Sequence, residues 1–139
     1  MNALPDALNY LQKINRTSMF NEWAGLEVTR ADHDGVELRL PWKKELGQYS
    51  GFLHAGVVGA LIDTVCGFSA GAATGKRLLA SHYSVNCLSP AVGEVFFARG
   101  KVVKAGKRQI FTAAEVFAEK DGVQKLVATG ETILVTMAE

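Results

Sequence analysis

One histidine and one carboxylate stand out by their positions. In Gly51-Phe52-Leu53-His54-Ala55-Gly56-Val57-Val58-Gly59-Ala60-Leu61-Ile62-Asp63-Thr64, His54 opens a long apolar run, and Asp63 is the lone formal charge between Gly51 and Thr74. Both are residue types that move protons in catalysis. The segment from His54 to Ala73 reads as a helix, with Thr74-Gly75 as its exit. Asp63 follows His54 by nine residues. At about 100° and 1.5 Å per residue, that spacing puts them about half a turn apart around the axis and about 13.5 Å apart along it. One copy of this helix cannot bring both to the same substrate atom. A site using both needs a partner from elsewhere in the fold or from a second chain, and a two-fold dimer that pairs two such helices supplies the latter. The helix start also presents unpaired N–H groups at the positive end of the dipole, where negative charge is stabilised. A mid-helix aspartate is often only a solvated group, but this helix has no other charge with which to build a wet face.

The elements that must position these groups follow from periodicity. Leu8, Leu11 and Ile14 form an apolar face at helical spacing over Asp6 to Ile14, with Pro5 and Asp6 as a start signal. Ser18 is placed to cap a short turn from Met19 to Trp23. Leu26 and Val28 then lead to Asp34-Gly35, a hairpin signal. Val36, Leu38 and Leu40 alternate with Glu37 and Arg39 in a half-buried strand that ends at Pro41. A polar loop is expected from Trp42 to Phe52. After the helix, three or four long strands are expected over Leu78–Leu88, Glu94–Lys104, Gln109–Glu119 and Gln124–Met137, separated by Pro90 with Gly93, Ala105-Gly106 and Asp121-Gly122. The order predicts an α+β fold, an antiparallel sheet wrapped around one long central helix. The chain is expected to be one domain over residues 1–139, with an N-terminal helical segment 1–23 and a core 24–137.

Bulk properties exclude several classes. With 15 Lys plus Arg against 14 Asp plus Glu, there is no general attraction to nucleic acid or anionic membrane. The helix is long enough to span a bilayer, but Asp63 near its middle would cost about 2.5–3.5 kcal/mol there, and its glycines lower its hydrophobicity. Neither a nucleic-acid nor a membrane partner is expected. Cys66 and Cys87 lie in apolar segments without a CxxC and are expected to be two buried free thiols in a reducing compartment. The N-terminus does not read as a signal peptide, so the cytoplasm is the expected location. The three histidines lack ligand spacing, so neither a metal nor another cofactor is expected.

His54-Ala55-Gly56 with Asp63 nine residues beyond the histidine resembles the His-Gly-Gly signature of PaaI-like, phenylacetate-pathway hotdog-fold acyl-CoA thioesterases. Ser89-Pro90-Ala91 after the first post-helix strand and Lys104-Ala105-Gly106-Lys107-Arg108 between later strands resemble the same family, as does the order of elements, over about Gly25 to Val135. The resemblance implies a hotdog fold and hydrolysis of an acyl-coenzyme A thioester at a site shared between subunits of a dimer or a dimer of dimers. Asp63 from the opposite subunit would be general base or nucleophile. The Ala55 and Gly56 amides would hold the oxyanion, and His54 would orient the loop and the carbonyl. Gln48 stands where relatives often carry an Asn. Ser81, or Ala80 beside it, stands where relatives often place a Ser or Thr. Ala55 replaces the first glycine of the signature, and its methyl group narrows the carbonyl pocket while its N–H still donates.

Substrate contacts are expected from several further residues. Lys104, Lys107 and Arg108, with Lys101, cluster at the Ala105-Gly106 turn and match the phosphates of coenzyme A; charged hairpin tips also serve only to prevent edge aggregation. Phe52 and Leu53, with Trp42, Phe68 and Tyr83, are candidates to line an acyl pocket or simply the core. Two other functions fit the pattern less well. A non-catalytic acyl-CoA-binding module is kept open by Ala55. A hotdog hydratase or dehydratase would place its acid before the histidine of the site helix, and none stands there.

Overall fold

The computed structural model describes residues 4–138. Three helices, α1 (Ala7–Thr17), α2 (Met19–Ala24) and α3 (Ala55–Thr74), combine with six strands: β1 (Glu27–Asp32), β2 (Gly35–Pro41), β3 (Leu78–Cys87), β4 (Val95–Ala105), β5 (Gln109–Lys120) and β6 (Val123–Thr136). The strands form one antiparallel sheet in the order β1-β2-β4-β5-β6-β3, and α3 lies across one face of it. This is the α+β hotdog arrangement expected from the order of elements.

Alternation places the core. Leu38 and Leu40 on β2, Phe96 and Ala98 on β4, and Val116 on β5 point inward and bury against Ile62, Val65 and Cys66 of α3. Each large apolar side chain so buried contributes about 1.5–3 kcal/mol. The helix approaches the sheet closely at Gly130, where a Cβ would lie 2.8 Å from two carbons of Ile62. An alanine there would also strike the Ser84 carbonyl oxygen of the neighbouring strand β3.

The hairpin turn sits one residue earlier than Asp34-Gly35 predicts. His33 and Asp34 turn the chain and Gly35 begins β2, while the Asp32 carboxylate accepts from the Asp34 N–H at 2.8 Å. Gly35 has φ +134°, and a Cβ on it would strike the Gly100 carbonyl oxygen at 2.0 Å. Glycine is therefore required by the neighbouring strand as well as by the turn. The loop after β2 is less polar than expected, because a short 3-10 turn at Lys44–Leu46 buries Leu46 and Trp42 packs edge-on against Phe96.

At the N-terminus the buried face of α1 is rotated from the expected one. Leu11 and Asn15 are buried, whereas Ile14 is 40% exposed. Asn15 takes the inward place because its amide donates to the Leu26 carbonyl at 2.7 Å and its oxygen accepts from Asn21 at 3.0 Å. Satisfied in this way, a carboxamide ties α1, α2 and the start of β1 together without an unpaired buried group. Ser18 caps α2 by accepting from the Asn21 N–H at 3.2 Å, as its position predicts.

Strand β3 differs from the rest of the sheet. It lies at the edge, paired on one side to β6, and Leu79 and Tyr83 are 57% and 51% exposed. The two cysteines accordingly part company. Cys66 is buried as expected, but Cys87, at the end of β3, is exposed. Its apolar neighbours in sequence suggest an interior strand, and the sheet order puts it at a rim instead.

Candidate functional site

The start of α3 is fixed by a ring of backbone contacts. The His54 N–H donates to the Leu46 carbonyl at 3.0 Å, and the Leu53 N–H donates to the Ala91 carbonyl at 2.9 Å. These bring the pre-helix loop, the helix start and Ser89-Pro90-Ala91 to one place. Between them lies a cavity of about 330 Å³ lined by Gln48, Phe52, Leu53, Ala55, Ser89 and Pro90, with the Cys87 thiol at its wall. Three expected site residues and the two expected pocket residues preceding the helix are thus gathered or adjacent here. Nothing in the sequence signalled that Cys87 would join them.

His54 is the N-cap of α3, and its Nδ1 accepts from the Gly56 N–H at 2.8 Å. An accepting Nδ1 fixes the neutral ring with its proton on Nε2, which leaves a donor facing outward. The Gly56 amide is therefore engaged by the cap, and among the described residues the Ala55 N–H makes no hydrogen bond. Of the two amides expected to hold an oxyanion, Ala55 is the one left open at the helix start. Gln48 is turned into its own loop. Its side-chain oxygen accepts from the Ser50 N–H and from the Phe52 N–H, the latter at 3.4 Å.

Asp63 lies farther along α3 on the flank toward β3. It is half-buried and has neither a salt bridge nor a hydrogen bond among the described residues; burial pushes its carboxyl above the ordinary 3.8. Desolvation is the whole cause, since no cation stands near enough to oppose it. One turn before it, Gly59 lets the Tyr83 ring pack against the helix, with the ring 3.4 Å from where a Cβ would be. On β3 a bulge between Ala80 and His82 sets Ser81 out of register, and its hydroxyl donates back to the Ile133 carbonyl at 3.3 Å. Ala80 pairs with Leu134, and Ala80 and Ser81 are both exposed.

The basic residues lie elsewhere. Lys104, Lys107 and Arg108 sit at the β4–β5 turn, where the Lys76 ammonium donates to the Lys107 carbonyl at 3.5 Å. Lys76 follows the C-terminal end of α3, a helix of 20 residues. The basic tip and His54 therefore stand at opposite ends of an element about 30 Å long. A second gathering of ligand types, Asp32, His33 and Asp34 at the β1–β2 turn, is exposed and already committed: the Asp32 carboxylate holds Arg30 at 2.9 Å and the Asp34 amide.

The profile of the thioesterase superfamily matches residues 50–125. The chain belongs to the thioesterase superfamily. Among solved structures, a thioesterase family protein from Silicibacter pomeroyi is 29% identical and superposes with a TM-score of 0.90 over 96% of this chain and 99% of that one. A thioesterase-superfamily-related protein from Shewanella oneidensis is 26% identical, with a TM-score of 0.83 over 95% and 96% of the two chains. A thioesterase from Haemophilus influenzae shares the fold at 21% identity, with a TM-score of 0.84 over 98% and 92%. No curated protein matches the sequence. The matched segment contains His54, Asp63 and most of the residues that line the cavity between the helix start and Ser89-Pro90.

Proposed function

We propose that the protein is an acyl-CoA thioesterase of the PaaI-like kind, working at sites shared between two copies of the chain. The observation that carries this reading is Asp63, a half-buried carboxylate without a partner among the described residues, in a thioesterase-superfamily fold. A group so placed has its proton affinity raised toward what a general base needs, and its oxygens are uncommitted. In one copy it is about 12 Å along the helix from Ala55 with its open N–H, too far for one reacting carbon.

Two copies remove the difficulty. The free edge of β3, the exposed apolar residues on it and the outward stripe of Gly56, Ala60 and Gly67 on α3 all favour a two-fold pairing of sheet edges with helices side by side. Asp63 of one copy then faces Ala55 of the other. Water attacks the thioester carbon as Asp63 takes its proton, and the Ala55 N–H receives the oxyanion. Collapse breaks the C–S bond while Asp63 passes the proton it took to the departing sulfur, and the acid and the coenzyme A thiol are released. His54 positions the carbonyl through Nε2–H and holds the helix start through Nδ1. Gln48 shapes the loop above it, and its side-chain nitrogen is left to orient water. The same pairing carries the basic tip of one copy toward the helix start of the other, where Lys104, Lys107 and Arg108 meet coenzyme A phosphates.

The test is thiol release from a panel of acyl-CoAs, with Asp63→Asn alongside. We expect turnover that falls about 10²- to 10⁴-fold in the variant, the range for loss of a positioned base. Equal activity in the two proteins overturns the assignment of Asp63. Mixed Asp63→Asn and His54→Ala subunits regain activity if the site spans two copies. A mixture as inactive as its parents, after subunit exchange has been verified, counts against the shared site.

A further inference from the structure

The cavity at the helix start has a floor and a rim of different character. Leu53, Val58, Ala91 and Val127 close it from below, and all four are buried members of the main core. Its rim is exposed and includes Ala55, Cys87, Leu88 and Pro90. No charged residue lines it, and the side-chain oxygen of Gln48 is occupied by the Ser50 and Phe52 amides. Ala55, whose N–H makes no hydrogen bond among the described residues, belongs to the same cavity. A carbonyl oxygen held by that N–H therefore sets its acyl substituent beside an apolar recess that ends against core side chains. Cys87 is the last residue of β3, pairs with Ala128 and is exposed, whereas Cys66 is fully buried.

We infer that this recess receives the acyl group and that Cys87 sets its width, which limits the substrate to uncharged acyl groups that end within the recess. The inference rests on the acyl-CoA thioesterase reading, with the Ala55 N–H receiving the carbonyl oxygen. Volume limits reach: about 330 Å³ lies near the lower end of ligand pockets. The floor does not recede, because Val58 and Val127 are packed in the core at 3% and 1% exposure. Charge is excluded by the lining, since a carboxylate carried inward loses its hydration and finds no cation to pair with. Cys87 is the adjustable wall. Ala55 is held by the helix start and Pro90 by its ring, whereas the side chain at the exposed end of β3 can change in size without displacing the core. A cysteine there is small, and a bulkier residue takes up the space of a small acyl group.

The probes are coenzyme A thioethers that cannot be hydrolysed: S-(2-oxopropyl)-CoA, S-(2-oxopentyl)-CoA and S-(4-carboxy-2-oxobutyl)-CoA. They share the carbonyl and the nucleotide and differ only in the group beyond. Calorimetry on the intact protein is expected to show the oxopentyl compound bound about 10-fold more tightly than the oxopropyl one, the effect of two further buried carbons. The carboxylate compound is expected to bind at least about 10-fold more weakly than the oxopentyl one. With the oxopentyl compound at about ten times its Kd, iodoacetamide alkylation of Cys87 is expected to slow about 10-fold, while the oxopropyl compound gives no protection. Peptide mass spectrometry keeps Cys87 apart from the buried Cys66. Cys87→Trp is expected to abolish the oxopentyl preference and leave oxopropyl binding unchanged, whereas Cys87→Ser keeps the size and the preference. If Cys87→Trp does not fold, N-ethylmaleimide attached to Cys87 of the folded wild type adds the bulk instead. A wild type without the preference, equal alkylation under both compounds, or a Cys87→Trp protein that keeps the preference overturns the inference. So does a carboxylate compound that binds as well as the oxopentyl one. Binding without protection sinks the inference alone, and failure of all the compounds to bind overturns the acyl-CoA reading with it.

Discussion

The sheet-facing and outward sides of α3 are made of similar small and apolar residues, yet they have opposite fates. Inward, Ile62, Val65 and Cys66 are fully buried against Phe96, Ala98 and Val116. Outward, Gly67 and Gly71 look into open space, and the neighbouring β3 leaves Leu79 and Tyr83 half exposed. The first side has its partners within the chain. The second has apolar surface, an unpaired strand edge and a carboxylate raised in proton affinity by burial alone. A buried flank supports the fold, and an unfinished flank carrying an uncompensated acid is where binding and catalysis are to be sought.

The comparison breaks most sharply if Ile62 is truncated. Ile62→Ala leaves a hole between helix and sheet and is expected to cost about 2–5 kcal/mol, read as a lower urea midpoint with unchanged slope. A loss under about 1 kcal/mol would mean that the inner flank is as loosely packed as the outer one.

A smaller effect separates capping from chemistry at the helix start. His54→Ala removes the acceptor that holds the Gly56 N–H and is expected to destabilise the protein by about 1 kcal/mol. His54→Asn supplies another capping side chain, so stability should recover while thioester turnover stays low. Turnover that recovers with stability would reduce His54 to a cap.

The smallest expected effect concerns Asp63 and pH. Its folded-state proton affinity is raised, so the folded protein binds the proton more tightly than the unfolded chain. Stability contributed by the neutral carboxyl is present below the ordinary value of 3.8 and is lost as pH rises through the higher folded value. Asp63→Asn should therefore melt above the wild type at neutral pH and converge with it in acid. Thermal scans across that range check the sign, and a variant less stable at neutral pH would point to an ion pair formed by Asp63 in the assembled protein.

Much of this is legible in the sequence. The alternation of Val36, Leu38 and Leu40 fixes which side of β2 is buried, Ser18 caps α2, and Gly75 ends α3 with a positive φ of 67°. Such features are local: a 2-residue or 3.6-residue period and a turn residue report their own element. The pre-helix loop, helix start and Ser89-Pro90-Ala91 were also separately visible, although their meeting was not. Ile14 departs from the expected core face because the Asn15–Asn21 amide pair, which has no sequence period, claims the interior, although the spacing of Ile14 with Leu8 and Leu11 matches a buried stripe.

The sequence by itself determined the kinds and order of the elements, the isolation of Asp63 on an apolar helix, and the half-turn that keeps it from His54. Only the tertiary structure decided that β3 is an edge, that Cys87 is therefore exposed beside Ala55, that the Gly56 amide is engaged while Ala55's is open, and that the basic tip stands at the far end of α3. The physical reason is the range of the interactions. Periodicity and capping act over a few residues, whereas strand order is set by pairings across the whole chain, such as Leu78 with Thr136. Which apolar surface stays uncovered is known only once all those pairings are made.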